Sequence, residues 1–327
     1  MRDHGGNLDG AINAFGGDRA DWIDLSTGIN TVPYPVGPIS PEAWTRLPER
    51  SALGALEDAA RRAYGASCAV VPVPVSGAQA AIQLVPRLIA PGQAAILSPT
   101  YNEHAAALRA EGWQITEATD LAALEGYALA VVVNPNNPDG QRHAPDALRA
   151  LAETVELLIV DESFADPDPE VSLVRSGAEL PKNILVMRSF GKFYGLAGLR
   201  LGFVLAAAPL AERLRAMTGP WPVSGMAIEV ALRALNDTEW AAQTTARLQG
   251  EAAQLDAMAA RAGWVLVGGT PLFRSYATPD ATAAQNALAG HHIWSRIFPY
   301  SDSWIRLGLP GPAGDWARLE IALKDGA

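Results

Sequence analysis

The segment SFGKFYGLAGLRLGF, residues 189–203, contains one lysine and one arginine, Lys192 and Arg200, which are eight positions apart among small and apolar residues. Four glycines lie between positions 191 and 202, and glycine lets a backbone approach a ligand closely. A lysine in apolar surroundings can have a depressed pKa and act as a nucleophile. Taken alone, a loop with one lysine, one arginine and several glycines is usually a solvated surface loop, so the interpretation depends on the other segments of the chain.

Three other segments carry polar residues directly after an apolar run. The segment PVSGAQAAIQL (74–84) has the pattern of a strand, a small-residue turn and a helix start, and N–H groups at a helix N-terminus bind phosphate. The segment VVVNPNNPDG (131–140) has the pattern of a strand and a turn. The segment LLIVDESF (157–164) ends in two acids, Asp161 and Glu162. Acids there cap helices or bind metals, but no histidine or cysteine pattern predicts a metal.

The elements that must position these residues are short apolar runs separated by helical patterns. The runs are continuous rather than alternating, which is typical of strands covered on both faces; they occupy residues 69–75, 94–97, 129–133, 157–160, 184–187 and 202–208. Helical patterns run from 78 to 89, with a kink expected at Pro86, and from 145 to 155. This alternation predicts an α/β fold with a mostly parallel sheet and helices on both faces. In open sheets of this kind, ligands bind at the carboxyl ends of the strands.

The pattern changes at two places along the chain. Residues 29–41 are proline-rich and predict an extended crossing segment. After residues 218–225, long helices are followed by short strands near 264–267, 272–277, 292–298 and 304–307. We therefore predict an N-terminal arm (1–40), a large α/β domain (41–217) and a small C-terminal α+β domain (218–327).

Composition narrows the function classes. A net charge of −10 without a basic cluster argues against nucleic acid and anionic membranes as partners. No apolar run reaches the length of a membrane span, and the N-terminus lacks the apolar region of a signal peptide, so we expect a cytoplasmic location. The one cysteine, Cys68, allows no internal disulfide and is predicted to be a buried small hydrophobe.

Together and in this order, the motifs resemble a known family. An Asn-Pro turn, a strand-end aspartate, a Ser-x-x-Lys and an arginine eight residues after that lysine resemble the fold-type I pyridoxal 5'-phosphate enzymes of the class I/II aminotransferase superfamily, over nearly the whole chain. HGGN (4–7) and DLSTGIN (24–30) are most similar to the threonine-phosphate decarboxylases of cobalamin biosynthesis, which are sisters of the histidinol-phosphate aminotransferases. The resemblance implies the fold-type I transferase fold, a pyridoxal phosphate cofactor, no metal and a homodimer.

The resemblance also implies a role for individual residues. Lys192 aligns with the lysine that binds the cofactor covalently, and Asp161 aligns with the acid that faces the pyridine nitrogen. Asn137 aligns with the amide that hydrogen-bonds the 3-oxygen of the cofactor, and Tyr101 aligns with the aromatic residue that stacks on the cofactor ring. The cofactor phosphate is expected at Gly77, Ala78, Gln79, Ser189 and Arg200, with Gly195 and Gly198 letting the loop fold back. Phe164 stands where many relatives carry a tyrosine, Leu47 where they carry a tyrosine that reaches the partner subunit, and Gln79 where an acid is more usual.

For the substrate, the resemblance implies a phosphorylated amino acid. His4, Gly5, Gly6 and Asn30 are expected to line its site, Arg306 to bind its carboxylate and Arg296 its phosphate. The catalytic motif is shared by decarboxylases and aminotransferases, so the motif alone does not decide the reaction. The favoured activity is decarboxylation of L-threonine O-3-phosphate. The alternatives are transamination of a compound such as histidinol phosphate and a non-enzymatic cofactor-binding module.

Overall fold

A computed structural model describes residues 4–175 and 179–325, and it confirms the predicted fold class. The helices are α1 (Leu8–Phe15), α2 (Pro41–Thr45), α3 (Arg50–Ala63), α4 (Ala78–Leu84), α5 (Glu103–Ala110), α6 (Pro145–Ala152), α7 (Phe190–Phe193), α8 (Ala208–Thr218), α9 (Gly225–Asn236), α10 (Thr238–Arg261), α11 (Ala281–Gly290) and α12 (Ala313–Asp325). The strands are β1 (Ile23–Asp24), β2 (Val70–Val75), β3 (Gln93–Leu97), β4 (Gln114–Ala118), β5 (Leu129–Val133), β6 (Leu157–Asp161), β7 (Ile184–Ser189), β8 (Gly202–Ala207), β9 (Val265–Thr270), β10 (Phe273–Ala277), β11 (Ile293–Trp294), β12 (Arg296–Phe298) and β13 (Ser301–Gly308).

The larger of two compact units comprises residues 34–137 and 141–242. Its seven-stranded sheet has the order β2-β8-β7-β6-β5-β3-β4. Strand β8 runs antiparallel to both neighbours, and the other pairs are parallel. Every residue of β5 and β6 is buried, as continuous apolar runs require when both faces of a sheet are covered.

The six predicted strands of this sheet are all present, and two details differ from the prediction. Strand β4 was missed because it lies at the sheet edge and its sequence, QITEA, is mostly exposed and polar. The helix predicted over 78–89 ends at Leu84 and continues as a 3₁₀ turn over Val85–Arg87. Pro86 therefore ends the helix rather than kinking it, because proline lacks the N–H that would continue the hydrogen-bond pattern.

The smaller unit comprises the described residues up to Pro33, Pro138–Gly140, and the described residues from Gln243 onward. Its antiparallel sheet has the order β12-β13-β10-β9, and a short parallel pair joins β1 to β11. Residues 138–140 belong here because the Ser275 hydroxyl donates to the carbonyl of Pro138 at 2.5 Å. A methyl group on Gly268 would overlap the carbonyl of Asp139, so glycine is needed at this close approach.

These units differ in their bounds from the domains predicted at 41–217 and 218–327. Residues 218–242 pack with the larger unit because α9 lies against α2 and α3. Gly225, at the start of α9, lies so close to the main chain of Ala43 that a methyl group there would overlap it. The segment 29–41 has no regular structure up to its last residue, as expected.

Cys68 is exposed, so its predicted burial is wrong. Strand β2 begins only at Val70, and Cys68 lies in the turn between α3 and that strand.

Among the described helices, none combines the length and the apolar character needed to cross a membrane.

Candidate active site

The larger unit contains a cavity at the ends of its central strands. All nine residues predicted to bind the cofactor line it, namely Gly77, Ala78, Gln79, Tyr101, Asn137, Asp161, Ser189, Lys192 and Arg200. The rest of the lining is largely apolar, with Ile82, Val133, Phe164, Ala197 and Leu201. Residues distant in sequence thus share one space, as the position of ligand sites in parallel sheets predicts.

Strand register brings together the residues expected at the phosphate. Gly202, the first residue of β8, is paired on one side with Val75 of β2 and on the other with Ser189 of β7. The turn after β2, the end of β7 and the residue before β8 consequently lie side by side. Gly77 has a φ of 82°, and a methyl group there would meet the guanidinium of Arg200 at 2.7 Å. Only glycine lets this turn and the arginine come so close.

Lys192 lies on the one-turn helix α7, directly after β7. The flanking Phe190 and Phe193 are buried, and the ring of Phe190 stacks on that of Tyr194 at 4.3 Å between centroids. The lysine Nζ lies 5.3 Å from the centroid of the Phe164 ring. The lysine therefore projects into the cavity lining from a turn that aromatic packing holds in place.

Of the two glycines predicted to let the loop after Lys192 fold back, one has the expected backbone conformation and one is not required by packing. Gly195 has a φ of 67° and fits the expected chain reversal. At Gly198 an added methyl group would meet nothing within 4 Å, so packing does not require glycine there. The close approaches are instead at Gly191, where a methyl group would lie 2.7 Å from Ala197 Cα, and at Gly202, where it would lie 2.7 Å from the Ala78 nitrogen.

Two adjacent acids, Asp161 and Glu162, have different partners. The Nε2–H of His104 donates to Asp161 Oδ2 at 2.9 Å, and Ser163 donates to Oδ1 from its hydroxyl at 2.5 Å and its main-chain nitrogen at 3.0 Å. Glu162 instead pairs with Arg188 Nη1 at 2.8 Å and accepts bonds from Ser172 and Leu173. Only Asp161 lines the cavity.

These surroundings give the two carboxyl groups opposite shifts. Burial by itself raises the pKa of Asp161, but the hydrogen bond and electrostatic interaction with His104, together with the bonds from Ser163, outweigh burial and hold the pKa below its ordinary value. For Glu162, burial prevails over the attraction of Arg188, and its pKa lies above its ordinary value. Asp161 is therefore an anion at neutral pH.

His104 and Ser163 were not identified from the sequence. The sequence offers only their closeness to predicted residues as a signal. His104 comes three residues after Tyr101, in the first turn of α5, and Ser163 comes two residues after Asp161. A lone histidine in an apolar helix gives no hint of its partner, because Asp161 lies 57 residues further along the chain. Gln79 was predicted through its main chain, but its side chain also has partners: Nε2 donates to Glu103 at 2.7 Å and Oε1 accepts from the Tyr101 hydroxyl at 3.4 Å.

The residues predicted to bind substrate all belong to the smaller unit. Arg306 is 6% exposed and its Nη2 donates to the carbonyl of Ser26 at 2.5 Å, while the Gly6 nitrogen donates to the Ser26 hydroxyl at 2.7 Å. A methyl group on Gly5 would overlap that same carbonyl. Three of the predicted residues thus meet at Ser26, which the sequence did not single out.

The other predicted substrate residues are placed as follows. Arg296 of β12 is the direct cross-strand partner of Arg306 in β13. Asn30 is buried, and its Oδ1 accepts a hydrogen bond from Arg247 Nη2 at 2.6 Å. Arg247 was not among the residues predicted from the sequence. His4 is exposed at the start of the described chain.

Comparison with known proteins defines the family. Residues 40–324 match the model of aminotransferase class I and II, and the chain belongs to that family. It is 42% identical to a threonine-phosphate decarboxylase of Sinorhizobium sp, over 98% of this chain and 97% of the relative. It is 41% identical to a threonine-phosphate decarboxylase of Pseudomonas aeruginosa, over 99% and 97% of the two chains.

A solved structure supports the same fold. Histidinol-phosphate aminotransferase from Sinorhizobium meliloti, in complex with pyridoxal-5'-phosphate, superposes with a TM-score of 0.84. The match covers 98% of this chain and 94% of that chain at 19% sequence identity.

Proposed function

We propose that this chain is a pyridoxal phosphate-dependent decarboxylase that converts L-threonine O-3-phosphate to (R)-1-amino-2-propanol O-2-phosphate and CO₂ in cobalamin biosynthesis. The two relatives named threonine-phosphate decarboxylase, each similar over almost the whole length, support this activity. The observation that carries it within the structure is the opposition of Arg296 and Arg306 described below.

The cavity of the larger unit fits the proposed cofactor. The Gly77 turn leaves room for the Arg200 guanidinium where a methyl group would collide with it, and a guanidinium suits a phosphate. The buried Asp161 is kept ionised by His104 and Ser163, which suits a protonated pyridine nitrogen. Lys192 shares the cavity with both. We assign the phosphate to Gly77, Ala78, Gln79, Ser189 and Arg200, the 3-oxygen to Asn137 and the ring face to Tyr101.

When bound, pyridoxal phosphate supplies an electron sink for the bond that breaks at the substrate Cα. The residues of this chain decide the rest. Asp161 holds the proton on the ring nitrogen, and Lys192 Nζ is the amine of the cavity that can return a proton to Cα after CO₂ leaves. Phe164 provides no hydroxyl, so Asn137 is the side chain assigned to the 3-oxygen.

The substrate assignment depends on a charge pattern in the smaller unit. Arg296 and Arg306 are directly opposite each other on adjacent antiparallel strands, so both side chains leave the same face of the sheet. The planar fork of a guanidinium suits both carboxylate and phosphate oxygens, so two arginines on one face suit a ligand with two anionic groups. A substrate with both a carboxylate and a phosphate supplies two anions. We assign the carboxylate to Arg306, and the phosphate to Arg296 with His4, Gly5, Gly6 and Asn30.

Transamination of a phosphorylated amine such as histidinol phosphate is the second candidate. The superposition on a histidinol-phosphate aminotransferase favours it, and the same lysine and aspartate would serve. The two reactions differ in the bond broken at Cα and in where the proton returns. A cofactor-binding module without turnover is the third candidate.

One experiment separates the three. Purified protein with pyridoxal phosphate is incubated with threonine phosphate, and CO₂ and the amine product are measured with and without 2-oxoglutarate. Release of CO₂ that does not depend on 2-oxoglutarate is the expected result. Amino-group transfer to 2-oxoglutarate from histidinol phosphate would replace the proposal by the aminotransferase, and cofactor absorbance without any product would indicate a binding module.

We further propose that the protein is a cytoplasmic homodimer, as the family resemblance implies. Three large apolar side chains of the larger unit support an interface because they are mostly exposed in the single chain: Trp44, Leu47 and Trp221, at 63, 65 and 54%. Sedimentation equilibrium at micromolar concentration measures the mass, and a fully active monomer would contradict the dimer.

A further inference from the structure

Ser26 is a completely buried serine whose polar atoms all have partners within the smaller unit. Its nitrogen and its hydroxyl both donate to Asp24 Oδ1, at 2.9 and 2.5 Å. The hydroxyl oxygen accepts from the Gly6 nitrogen at 2.7 Å, and the carbonyl accepts from Arg306 Nη2 at 2.5 Å. One residue therefore joins the N-terminal glycines to the arginine of β13.

The polarity of this arrangement is determined by Asp24. The hydroxyl of Ser26 has a single proton, and it donates that proton to Asp24 Oδ1. The hydroxyl oxygen is then left as an acceptor, which is what a main-chain N–H of the N-terminal segment needs. The Gly6 nitrogen donates to this oxygen at 2.7 Å, so the position of the N-terminal main chain is linked to that of Ser26.

Close packing reinforces the connection on both sides of residues 25–27. A methyl group on Gly5 would overlap the Ser26 carbonyl, and one on Gly308 would overlap the Thr27 carbonyl. The nitrogen of Gly308 also donates to the Leu25 carbonyl at 2.7 Å. The N-terminal segment and strand β13 are thus both in contact with the main chain of this loop.

From these contacts we infer that Ser26 is a positioning residue that couples Gly5 and Gly6 to Arg306, so that the groups assigned to the substrate phosphate and carboxylate are held in one arrangement. This role rests on the proposed function for its substrate. Ser26 need not touch the substrate. It acts by orienting the guanidinium through its carbonyl and the N-terminal main chain through its hydroxyl.

The test is a double-mutant cycle on the holoenzyme. Ser26→Ala removes the hydroxyl but keeps the carbonyl that binds Arg306. Removal of residues 1–6 deletes Gly5 and Gly6 but keeps Asn7, whose side chain caps α1. We expect Ser26→Ala to raise KM for threonine phosphate roughly 2- to 13-fold with kcat retained, the size of one lost hydrogen bond. In the truncated protein, the same substitution should have no further effect on KM.

Ser275→Ala is the matched control. Ser275 is also completely buried in the smaller unit and its hydroxyl donates a 2.5 Å bond, but to Pro138. Whatever its own effect, it should add independently to that of the truncation, because sites without shared partners are additive. If Ser26→Ala and the truncation also add independently, Ser26 does not act through the N-terminal segment and the inference is overturned.

Two further measurements test the coupling if the protein has another activity or if Ser26→Ala does not fold. Hydrogen exchange over residues 4–10, in protein with cofactor but without substrate, should become faster in Ser26→Ala; unchanged exchange contradicts the coupling even if the protein proves to have another activity. If Ser26→Ala does not fold, Gly5→Ala takes its place, and it should raise KM for threonine phosphate because a methyl group there overlaps the Ser26 carbonyl. A wild-type KM in Gly5→Ala would also overturn the inference. If the wild type releases no CO₂, the proposed function is wrong, and the coupling is then tested by the hydrogen-exchange result alone.

Discussion

The residues that line the cavity of the larger unit and the predicted substrate residues of the smaller unit are held in place by different kinds of hydrogen bond. In the cavity, side chains hold side chains: His104 and Ser163 bind Asp161, and Glu103 binds Gln79. In the smaller unit, main-chain groups predominate, because Arg306 donates to the Ser26 carbonyl and the Gly6 nitrogen donates to the Ser26 hydroxyl.

The two regions should therefore differ in the substitutions that they tolerate. A network of buried side chains depends on residue type, since removing one partner leaves the other polar group buried without compensation. A main-chain arrangement depends instead on close approach, which glycines at 5 and 308 permit. Changes in the cavity should therefore affect every substrate, whereas changes in the smaller unit should discriminate between substrates that differ in their anionic groups.

The largest effect is expected at Lys192. Lys192→Ala should remove the cofactor absorbance band near the visible edge and lower turnover of any substrate by at least about 10²- to 10⁴-fold, the contribution of a positioned proton donor. Lys182→Ala is the control, since Lys182 is an exposed lysine outside the cavity. Absorbance spectra and CO₂ release measure the two effects. A mutant with an unchanged spectrum would show that Lys192 does not bind the cofactor.

The next largest effect should separate the two arginines. Arg306→Ala should lower kcat/KM roughly 10- to 150-fold on both threonine phosphate and threonine, because a charge-assisted bond to the shared carboxylate is lost. Arg296→Ala should have a comparable effect on threonine phosphate and little effect on the residual rate with threonine. Steady-state kinetics with the two substrates tests this. Equal losses on both substrates in Arg296→Ala would mean that Arg296 serves the fold or the cofactor instead.

A smaller effect is expected at His104, and it depends on pH. Because the pKa of Asp161 lies below its ordinary value, the charged form stabilises the folded protein above that ordinary value, and this contribution is lost as the pH falls. His104→Leu removes the partner at 2.9 Å and leaves burial opposed mainly by Ser163, so the pKa of Asp161 should rise. The acid side of the profiles of kcat and of thermal stability should then move to higher pH.

The control for His104 is a histidine–aspartate pair elsewhere. His291→Gln removes a 3.2 Å pair with Asp325 in which both side chains are partly exposed, and exposed pairs contribute little. It should leave the pH profile where it is. Coincident profiles of His104→Leu and the wild type would show that His104 does not support the charge of Asp161.

The smallest effect is expected for Phe164→Tyr, which adds a hydroxyl at a position where the family resemblance implies a tyrosine. Phe164 is buried in the cavity lining, and an uncompensated buried hydroxyl costs about 1–3 kcal/mol. The melting temperature should fall without pyridoxal phosphate and recover with it, and the absorbance maximum should shift while kcat changes only a few-fold. Equal destabilisation with and without cofactor would show that this position does not reach the 3-oxygen.

Much of the larger unit was predictable because its determinants are local. Continuous apolar runs identified six strands, and most of the residues predicted for the cofactor lie at the last residue of a strand or in the turn or helix start that follows it. Strand β4 was missed because an edge strand needs no apolar run, and Cys68 was misplaced because an apolar run does not show where its strand begins. The family resemblance added roles to these residues, and those roles stay predictions for the experiments above.

By itself, the sequence determined the order of strands, helices and polar turns, and with it the α/β class, the family and the set of residues around Lys192. Parallel strands explain this success, since their carboxyl ends meet at one edge and the residues after them are brought together whatever the details. Only the tertiary structure decided which groups touch. The pair of His104 with Asp161, the direct opposition of Arg296 and Arg306, and the meeting of Gly5, Gly6 and Arg306 at Ser26 all depend on strand register or on chain segments up to 280 residues apart. Local sequence patterns carry no record of such distances, because register and packing are properties of the whole folded chain.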